Sequence, residues 1–548
     1  MSSNKEIGTR NESSAISAGA EWWRGAVLYQ IYPRSFKDSN NDGIGDLKGI
    51  TEKLDYIASL GVDGVWISPF YKSPMVDFGY DVEDYCSIDP MFGTMQDFDT
   101  MLKAMHQRGL KLVIDLVLSH TSDKHSWFVE SRKDTKNPKA DWYVWADAKP
   151  DGSPPNNWQS VFGGPSWKFD PHRGQYYYHQ FLTEQPDLNV RNPEVQEALL
   201  GVAKFWLDKG VDGFRLDAVN HCIHDAKLRD NPAKPESERN PDRDFKHTYD
   251  MQWHKHDKSQ PETVDFLRRL RTLTDRYDSR MTVAEIGDDD NIARCVEYTA
   301  PGVLHTAYSF TLLTEKYGSS VVRKMVGDFR EKGAKSWPSW AFSNHDAKRV
   351  ATRWAQDGIN EEQVKMLHAQ LCSLWGTVFV YQGEELGLPD VKVPFEKLQD
   401  PFGKFAWPED VGRDGCRTPI PWDHTKPNAG FSAHEPWLPV PQNHQDMAVD
   451  VQEKSNHSPL HFFRVFTKWR KQHPALITGD IRFLDTPEPV LAFTRDKIIA
   501  VFNMGNKTEI YTVADGTKPL DGHGLPYELS NNRLTLPAFG GFFGELKK

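Results

Sequence analysis

The sequence predicts an α/β protein: a (β/α)8 TIM barrel with a domain inserted after its third strand and a C-terminal antiparallel β-sandwich. Three observations predict it. Short apolar runs alternate with amphipathic helical stretches from Ala26 to Tyr381, the rhythm of βα units. The rhythm breaks between Ser119 and about Asp187, in a stretch rich in Trp, Tyr, Pro, Gly and Asp. A connection that long is uncommon unless it is functional or folds on its own. Beyond about Leu476 the pattern changes to short runs such as 490–493 and 498–502, ended by Gly, Pro and Asn turns, as in a sandwich.

Residues 26–32 read as strand one, 47–60 as an amphipathic helix, 62–67 as strand two and 95–108 as the next helix. Strand three, 111–118, is a continuous apolar run interrupted by Asp115, as expected for a parallel strand buried on both faces. After the insertion, Asn192 caps a helix over 193–209 with Pro193 in its first turn. Strand four lies in the stretch 210–220. A charged excursion over 224–256 and a helix over 263–277 precede strand five at 281–286. Strand six is expected at 303–308, strand seven at 339–342, a helix at 361–374 and strand eight at 377–381. The domains expected are a leader, 1–20, polar, Ser-rich and disordered; the barrel, 21–119 with 187–476; the insertion, 120–186; and the β domain, 477–548.

Composition narrows the function. At 548 residues the chain exceeds what a single core sustains, so two or three domains are expected. A net charge of −11 argues against nucleic acid and anionic membrane as partners. The leader lacks the apolar segment of a signal peptide, and no run of about 18 apolar residues occurs, so a cytoplasmic protein is the default expectation. Five scattered cysteines without a CxxC pair suggest neither a disulfide framework nor a zinc site.

The chemistry sits at strand ends. Strand four carries Arg215 and Asp217, which share one face of a strand. A guanidinium beside a carboxylate favours its ionised form and fixes its orientation. Taken alone, an Arg-x-Asp is more often a structural ion pair. Here strand three also ends in Asp115 and Ser119-His120, strand five in Glu285-Ile286-Gly287 and strand seven in Ser343-Asn344-His345-Asp346. In such a barrel these ends converge on the carboxyl-terminal face, where catalytic residues lie. Three acids facing one cavity would be a costly structural core. Separately, Asp38, Asn40, Asp42, Ile44 and Asp46 place oxygen ligands at alternate positions around Gly43, which suits a hard divalent cation. Position twelve of that loop is Gly49 rather than a bidentate Glu, and an Asp/Asn/Gly surface turn is the alternative.

These motifs resemble those of the α-amylase superfamily, glycoside hydrolase family 13, in its α-glucosidase and oligo-1,6-glucosidase branch. Further marks are 21–24 leading to Tyr32-Pro33-Arg34-Ser35-Phe36, Gln185-Pro186-Asp187-Leu188-Asn189, 383–387, and Arg413-Asp414-Gly415-Cys416-Arg417-Thr418-Pro419, in the family's order as far as about residue 422. The resemblance implies that Asp217 is the nucleophile, Glu285 the general acid/base and Asp346 a third carboxylate that binds sugar hydroxyls. Retention by double displacement would follow, with the two working carboxyls about 5–5.5 Å apart. Asp217 would be held charged by Arg215, and Glu285 protonated by a drier site and nearby negative charge.

The resemblance also implies that Asp77 and Arg413 close a glucose pocket, with Arg417 the alternative partner. It makes Tyr80 a stacking ring and His120 and His345 hydroxyl binders. Phe162 and Phe181 line the entrance or pack in the core. Members of the branch carry Ca2+ or Mg2+ in the 38–46 loop, as a structural ion, and no organic cofactor. Ala218 after the nucleophile favours α-1,4 links such as maltose, with sucrose a further candidate. Small α-glucosides are the expected partners, and the chain is expected to be a monomer or homodimer. A trehalose synthase or sucrose isomerase of the same family is the first rival. A non-catalytic barrel is the second, and the complete acid triad argues against it.

Overall fold

The computed structural model describes residues 21–239, 247–355, 358 and 360–547. The expected leader, 1–20, lies outside them, as does part of the charged excursion. Eight parallel strands form the barrel: β1 (Val27–Ile31), β2 (Gly64–Ile67), β3 (Lys111–Val117), β4 (Gly213–Asp217), β5 (Met281–Ile286), β6 (Thr306–Ser309), β7 (Ser339–Ala341) and β8 (Thr377–Tyr381). They pair in the cyclic order β6-β5-β4-β3-β2-β1-β8-β7, and a parallel bridge between Ala307 and Pro338 closes the ring between β6 and β7. Every residue of β1, β2, β4, β5, β7 and β8 is buried, which is why these strands are mostly apolar and why Arg215, Asp217 and Glu285 stand out in them.

The register sets the chemistry. Asp115 on β3 lies opposite Arg215 on β4, Val117 lies opposite Asp217, and Glu285 on β5 lies opposite Tyr308 on β6. The helix over Pro193–Lys209 ends at Gly210, whose φ of +100° is the left-handed cap that glycine tolerates best. β4 therefore begins only at Gly213. Immediately after Asp217 the chain turns: Ala218 sits at φ 38°, ψ 40°, and a 3-10 turn follows over Val219–His221.

Other differences from expectation are local. The helix expected over 47–60 breaks at Lys53 into Leu47–Glu52 and Leu54–Ser59, and β6 starts three residues later than expected. The insertion builds a three-stranded antiparallel sheet from Trp145–Ala146, Gln175–Tyr178 and Trp167–Asp170, around Val144, Trp158, Trp167 and Tyr178. Beyond Ile481 a five-stranded and a three-stranded antiparallel sheet follow. In the strand Val490–Arg495, Leu491 and Phe493 join the main core, while Val490 and Ala492 pack with Leu534, Leu536 and Phe542 in a second one. That alternation is what a strand between two apolar layers requires.

Candidate active site

Arg215, fully buried at the end of β4, is the hub of one half of the site. Its Nη1 donates to Asp115 Oδ1 and to Asp217 Oδ1, each at 2.6 Å. Its Nη2 pairs with Glu285 Oε1 and lies 3.0 Å from the Tyr308 hydroxyl. That hydroxyl donates to Glu285 Oε1 at 2.9 Å, while the backbone N–H of Ala218 donates to Glu285 Oε2 at 3.1 Å. The left-handed turn at Ala218 thus aims the first amide after Asp217 at the glutamate. Trp66 Nε1 donates to Asp115 Oδ2 at 2.8 Å.

Asp346 anchors the other half. Its Oδ1 accepts from Arg417 Nη2 at 2.8 Å and Arg413 Nη1 at 3.2 Å. His345 Nε2 is 3.1 Å from Asp346 Oδ2. With the Gln30 amide donating to His345 Nδ1 at 2.8 Å, the ring proton is assigned to Nε2. Arg413 Nη2 reaches Asp77 Oδ1 at 2.9 Å, and Gln185 Nε2 donates to Asp77 Oδ2 at 3.1 Å. The Tyr80 ring lies nearly parallel to His345, centroids 5.3 Å apart, with its hydroxyl 2.7 Å from Nε2. His120 is buried against Phe181, its Nε2 3.2 Å from Gln185 Nε2. The Arg413 guanidinium sits 5.1 Å from the Phe162 ring centre.

The halves differ in electrostatics. Burial pushes the Asp217 carboxyl up to about 7, with Arg215 opposing, and burial likewise raises Glu285 to about 7, against Arg215 and with the charges of Asp217 and Asp346 adding to the rise. The expected split, with Asp217 held charged by Arg215 and Glu285 protonated by a drier site, is not met: both carboxyls are almost fully enclosed and burial raises both. Burial also disfavours ionised Asp346, but the neighbouring His345, through its Nε2–H, and the guanidiniums of Arg413 and Arg417 outweigh it and hold this carboxyl well below the usual range. Burial keeps His120 and His345 neutral, His120 falling to about 4.

Known proteins share this architecture. The family model for the alpha-amylase catalytic domain matches residues 30–479. The chain belongs to the α-amylase family of glycoside hydrolases. It is 49% identical to a probable alpha-glucosidase of Rhizobium meliloti (strain 1021) over 98% of this chain and 100% of that one. It is 37% identical to an oligo-1,6-glucosidase of Parageobacillus thermoglucosidasius over 90% and 92%. The crystal structure of the alpha-glucosyl transfer enzyme XgtA superposes with a TM-score of 0.94 at 50% identity, covering 96% of this chain and 99% of that one.

Within this α-amylase-family barrel, all eleven side chains singled out for catalysis and substrate binding lie in one connected network. Asp77 pairs with Arg413, and Arg417 turns instead to Asp346 and to the backbone carbonyl of His345. Four members had no role assigned from the sequence: Asp115, Tyr308, Gln185 and Asp400. Asp115 had a signal, as the one acid in an apolar strand and one of the polar residues converging at the strand ends, and Gln185 stood in a quoted motif. Tyr308 and Asp400 had none. Asp400 is fully buried and grips Arg413 Nε at 3.0 Å and Nη2 at 2.9 Å.

The cation loop follows β1. Asp38 Oδ1 accepts from the N–H groups of Asn40 and Asn41, and Oδ2 from Gly43. Asp42 Oδ1 accepts from Ile44 N at 2.9 Å, and the Asn40 amide donates to Asp42 Oδ2 at 3.0 Å. Asp46 caps the next helix through Gly49 N and accepts from Ser39. The oxygen-only donor set fits a hard cation, but Asn40 and Asp42 are bonded to each other and must turn to admit one. Elsewhere, Asp423, His424 and Asp450 bring ligand atoms within 4.8 Å of one another. Lys426 and Lys454 already supply positive charge there, at 3.2 and 3.1 Å from the two aspartates.

Proposed function

We propose that the protein is a retaining, exo-acting α-glucosidase that releases or transfers the non-reducing-end glucosyl unit of short α-glucosides. The observation that carries this reading is the joint grip of Arg215 on Asp217 and Glu285, next to a pocket end closed by Asp77 and Arg413. Among the described residues no hydrogen bond reaches Asp217 Oδ2, so Oδ1 is held and Oδ2 is free to attack. Oδ2 forms the bond to C1 as the C1–O glycosidic bond breaks, and Glu285 gives its proton to the departing oxygen. The product is a β-glucosyl ester. Glu285, now ionised, takes a proton from water or a sugar hydroxyl, whose oxygen attacks C1 and expels Asp217. The carboxyl–carboxyl spacing suited to retention is about 5–5.5 Å, and the shared guanidinium supports it.

Neutral His120 and His345, with Asp346 and Asp77, form a fixed array for hydroxyls of one glucose, and Tyr80 backs it. Arg413 blocks growth of the pocket beyond that unit, which gives exo action. Phe162 and Phe181 flank the aglycone side. A small Ala218 leaves room where the aglycone meets β4 and favours α-1,4 links; sucrose remains a substrate to test. The 38–46 loop takes a structural Ca2+ or Mg2+ away from this chemistry. Residues 21–119 with 187–476, 120–186 and 477–548 act as catalytic, pocket-roofing and C-terminal domains. A cytoplasmic location is part of this proposal; no described helix is long and apolar enough to cross a membrane.

The test is a product profile on maltose, isomaltose, sucrose and trehalose, followed by proton NMR. Free glucose appearing first as the α-anomer, fastest from maltose, is the expected result. A rearranged disaccharide as the main product would instead make the chain an isomerase, with the same triad but better exclusion of water from the ester.

A further inference from the structure

We propose that Asp400 is a positioning residue for substrate recognition, holding Arg413 in the orientation that lets one guanidinium bridge Asp77 and Asp346. The inference rests on the reading that Asp77 and Arg413 close the glucose pocket. A guanidinium on a long stem has many orientations, and Asp77 and Asp346 each offer it only one oxygen. Asp400 supplies the constraint. Its Oδ2 accepts from the Arg413 backbone N–H at 2.7 Å and from Nε at 3.0 Å, and its Oδ1 accepts from Nη2 at 2.9 Å. The Nε and Nη2 contacts form the two-pronged Arg–carboxylate geometry that fixes the guanidinium plane. With that plane set, Nη2 also meets Asp77 at 2.9 Å and Nη1 meets Asp346 at 3.2 Å.

Asp400 is itself immobilised. It is completely buried, caps the helix Pro401–Ala406 through Phe402 N at 3.3 Å, and donates its own N–H to Asp414 Oδ2 at 2.9 Å. Gly412 lies against it at φ +68°, where any side chain would collide with the carboxylate. The helix it caps carries Phe402, which packs on Phe162 and His247. The pocket-closing arginine and the aromatic rim are thus set by one aspartate. Arg413 and Arg417 offer two positive charges to Asp77, Asp346 and Asp400. Asp400 holds the closest share of the Arg413 charge, and against burial its carboxyl falls to about 2.

Asp400→Asn tests this, because Asn caps a helix as well as Asp does and keeps the volume while deleting the charge. With p-nitrophenyl α-glucoside, KM should rise about tenfold or more, as for loss of a charge-assisted bond pair. kcat should move much less, and the melting temperature should hold. Arg413→Lys, a point charge without a fork, should raise KM similarly, and the Asp400→Asn/Arg413→Lys double variant should be no worse than Arg413→Lys alone. Calorimetry with glucose reads the same contact without turnover, and its affinity should fall by the same factor in Asp400→Asn. An unchanged KM and glucose affinity, kcat and KM falling together, or additive losses in the double variant each overturn the assignment. Wild-type enzyme that binds glucose but cleaves no α-glucoside would overturn the proposed function instead, and leave this assignment to the calorimetry.

Discussion

Two nests of carboxylates face one another across the site, and they differ in how many cations each contains. Around β4 one guanidinium, Arg215, serves Asp115, Asp217 and Glu285. Around the strand-seven loop two guanidiniums, Arg413 and Arg417, serve Asp346, Asp77 and Asp400. In the cation-poor nest burial wins: Asp217 and Glu285 rise to about 7 and Asp115 to about 6. In the cation-rich nest Asp346 and Asp400 fall below their ordinary range, and only Asp77 is raised, by burial. A protein interior stabilises few uncompensated charges, so the count of cations decides which carboxyls can exchange protons near neutrality. On the proposed reading, the first nest serves proton transfer and bond formation, and the second holds a sugar with charges that stay put.

The largest effect should come from Asp217→Asn. Removing the attacking oxygen should lower kcat by about 10^4-fold or more, as losing a nucleophile does elsewhere. The melting temperature should hold or rise, since Asn keeps the Arg215 contact without a buried charge. Normal turnover in that variant would break the division of labour between the nests. Glu285→Gln should be graded instead. With an alcohol leaving group, as in maltose, the loss should be about 10^2–10^4-fold. With an activated phenol that needs no protonation, the first step should be spared and a burst of phenol should mark an accumulating ester. Equal losses on both substrates would remove Glu285 from the acid role.

The raised carboxyls also make a stability prediction with a definite sign. Glu285 is near its ordinary 4.3 when unfolded and about 7 when folded. Between those values the folded state binds more protons than the unfolded one, so stability falls as pH rises through the window. Asp217 and Asp115 add to the same trend. Gln at 285 cannot ionise, so the melting temperature of Glu285→Gln relative to wild type should be flat near pH 4.5 and climb by about 1–3 °C above pH 7. The opposite slope would mean that Arg215 carries more of the nest's charge than burial takes away.

How much of this was legible in the chain follows from the same division. The cation-poor nest was readable because its members sit on strands: Arg215-x-Asp217 and Glu285 end apolar runs, and alternation fixes which way they point. Even there Tyr308 was silent, since a Tyr ending a strand reads as core until register sets it opposite Glu285. The helix at 47–60 broke because periodicity does not register a local turn at Lys53. The cation-rich nest draws Asp77, Asp400, Arg413 and Arg417 from loops whose paths no periodicity encodes. The family resemblance carried Asp77 and Arg413; nothing carried Asp400, because its grip on Arg413 exists only after both loops have folded.

The 38–46 loop belongs to neither nest, which is what its test should show. Among the described residues its carboxylates bond only within the loop and to the helix they cap, while the loop backbone holds the segment after Phe431: Asp38 N donates to Phe431 O, and Trp437 N to Gly43 O. Trp437 in turn packs on Tyr32 and Phe78 behind the pocket. A cation here would tighten the backing wall without touching the triad. Chelation followed by Ca2+ or Mg2+ should therefore raise the melting temperature on re-addition, by about 3 kcal/mol of linkage at a hundredfold excess over Kd, while the initial rate on maltose moves less than about twofold. Asp38→Asn should abolish that increment, because Asp38 leads the donor set and also anchors Gly43. A melting temperature indifferent to both chelator and cation would make the loop a hydrogen-bonded turn and nothing more, and would leave the contrast between the two nests as it stands.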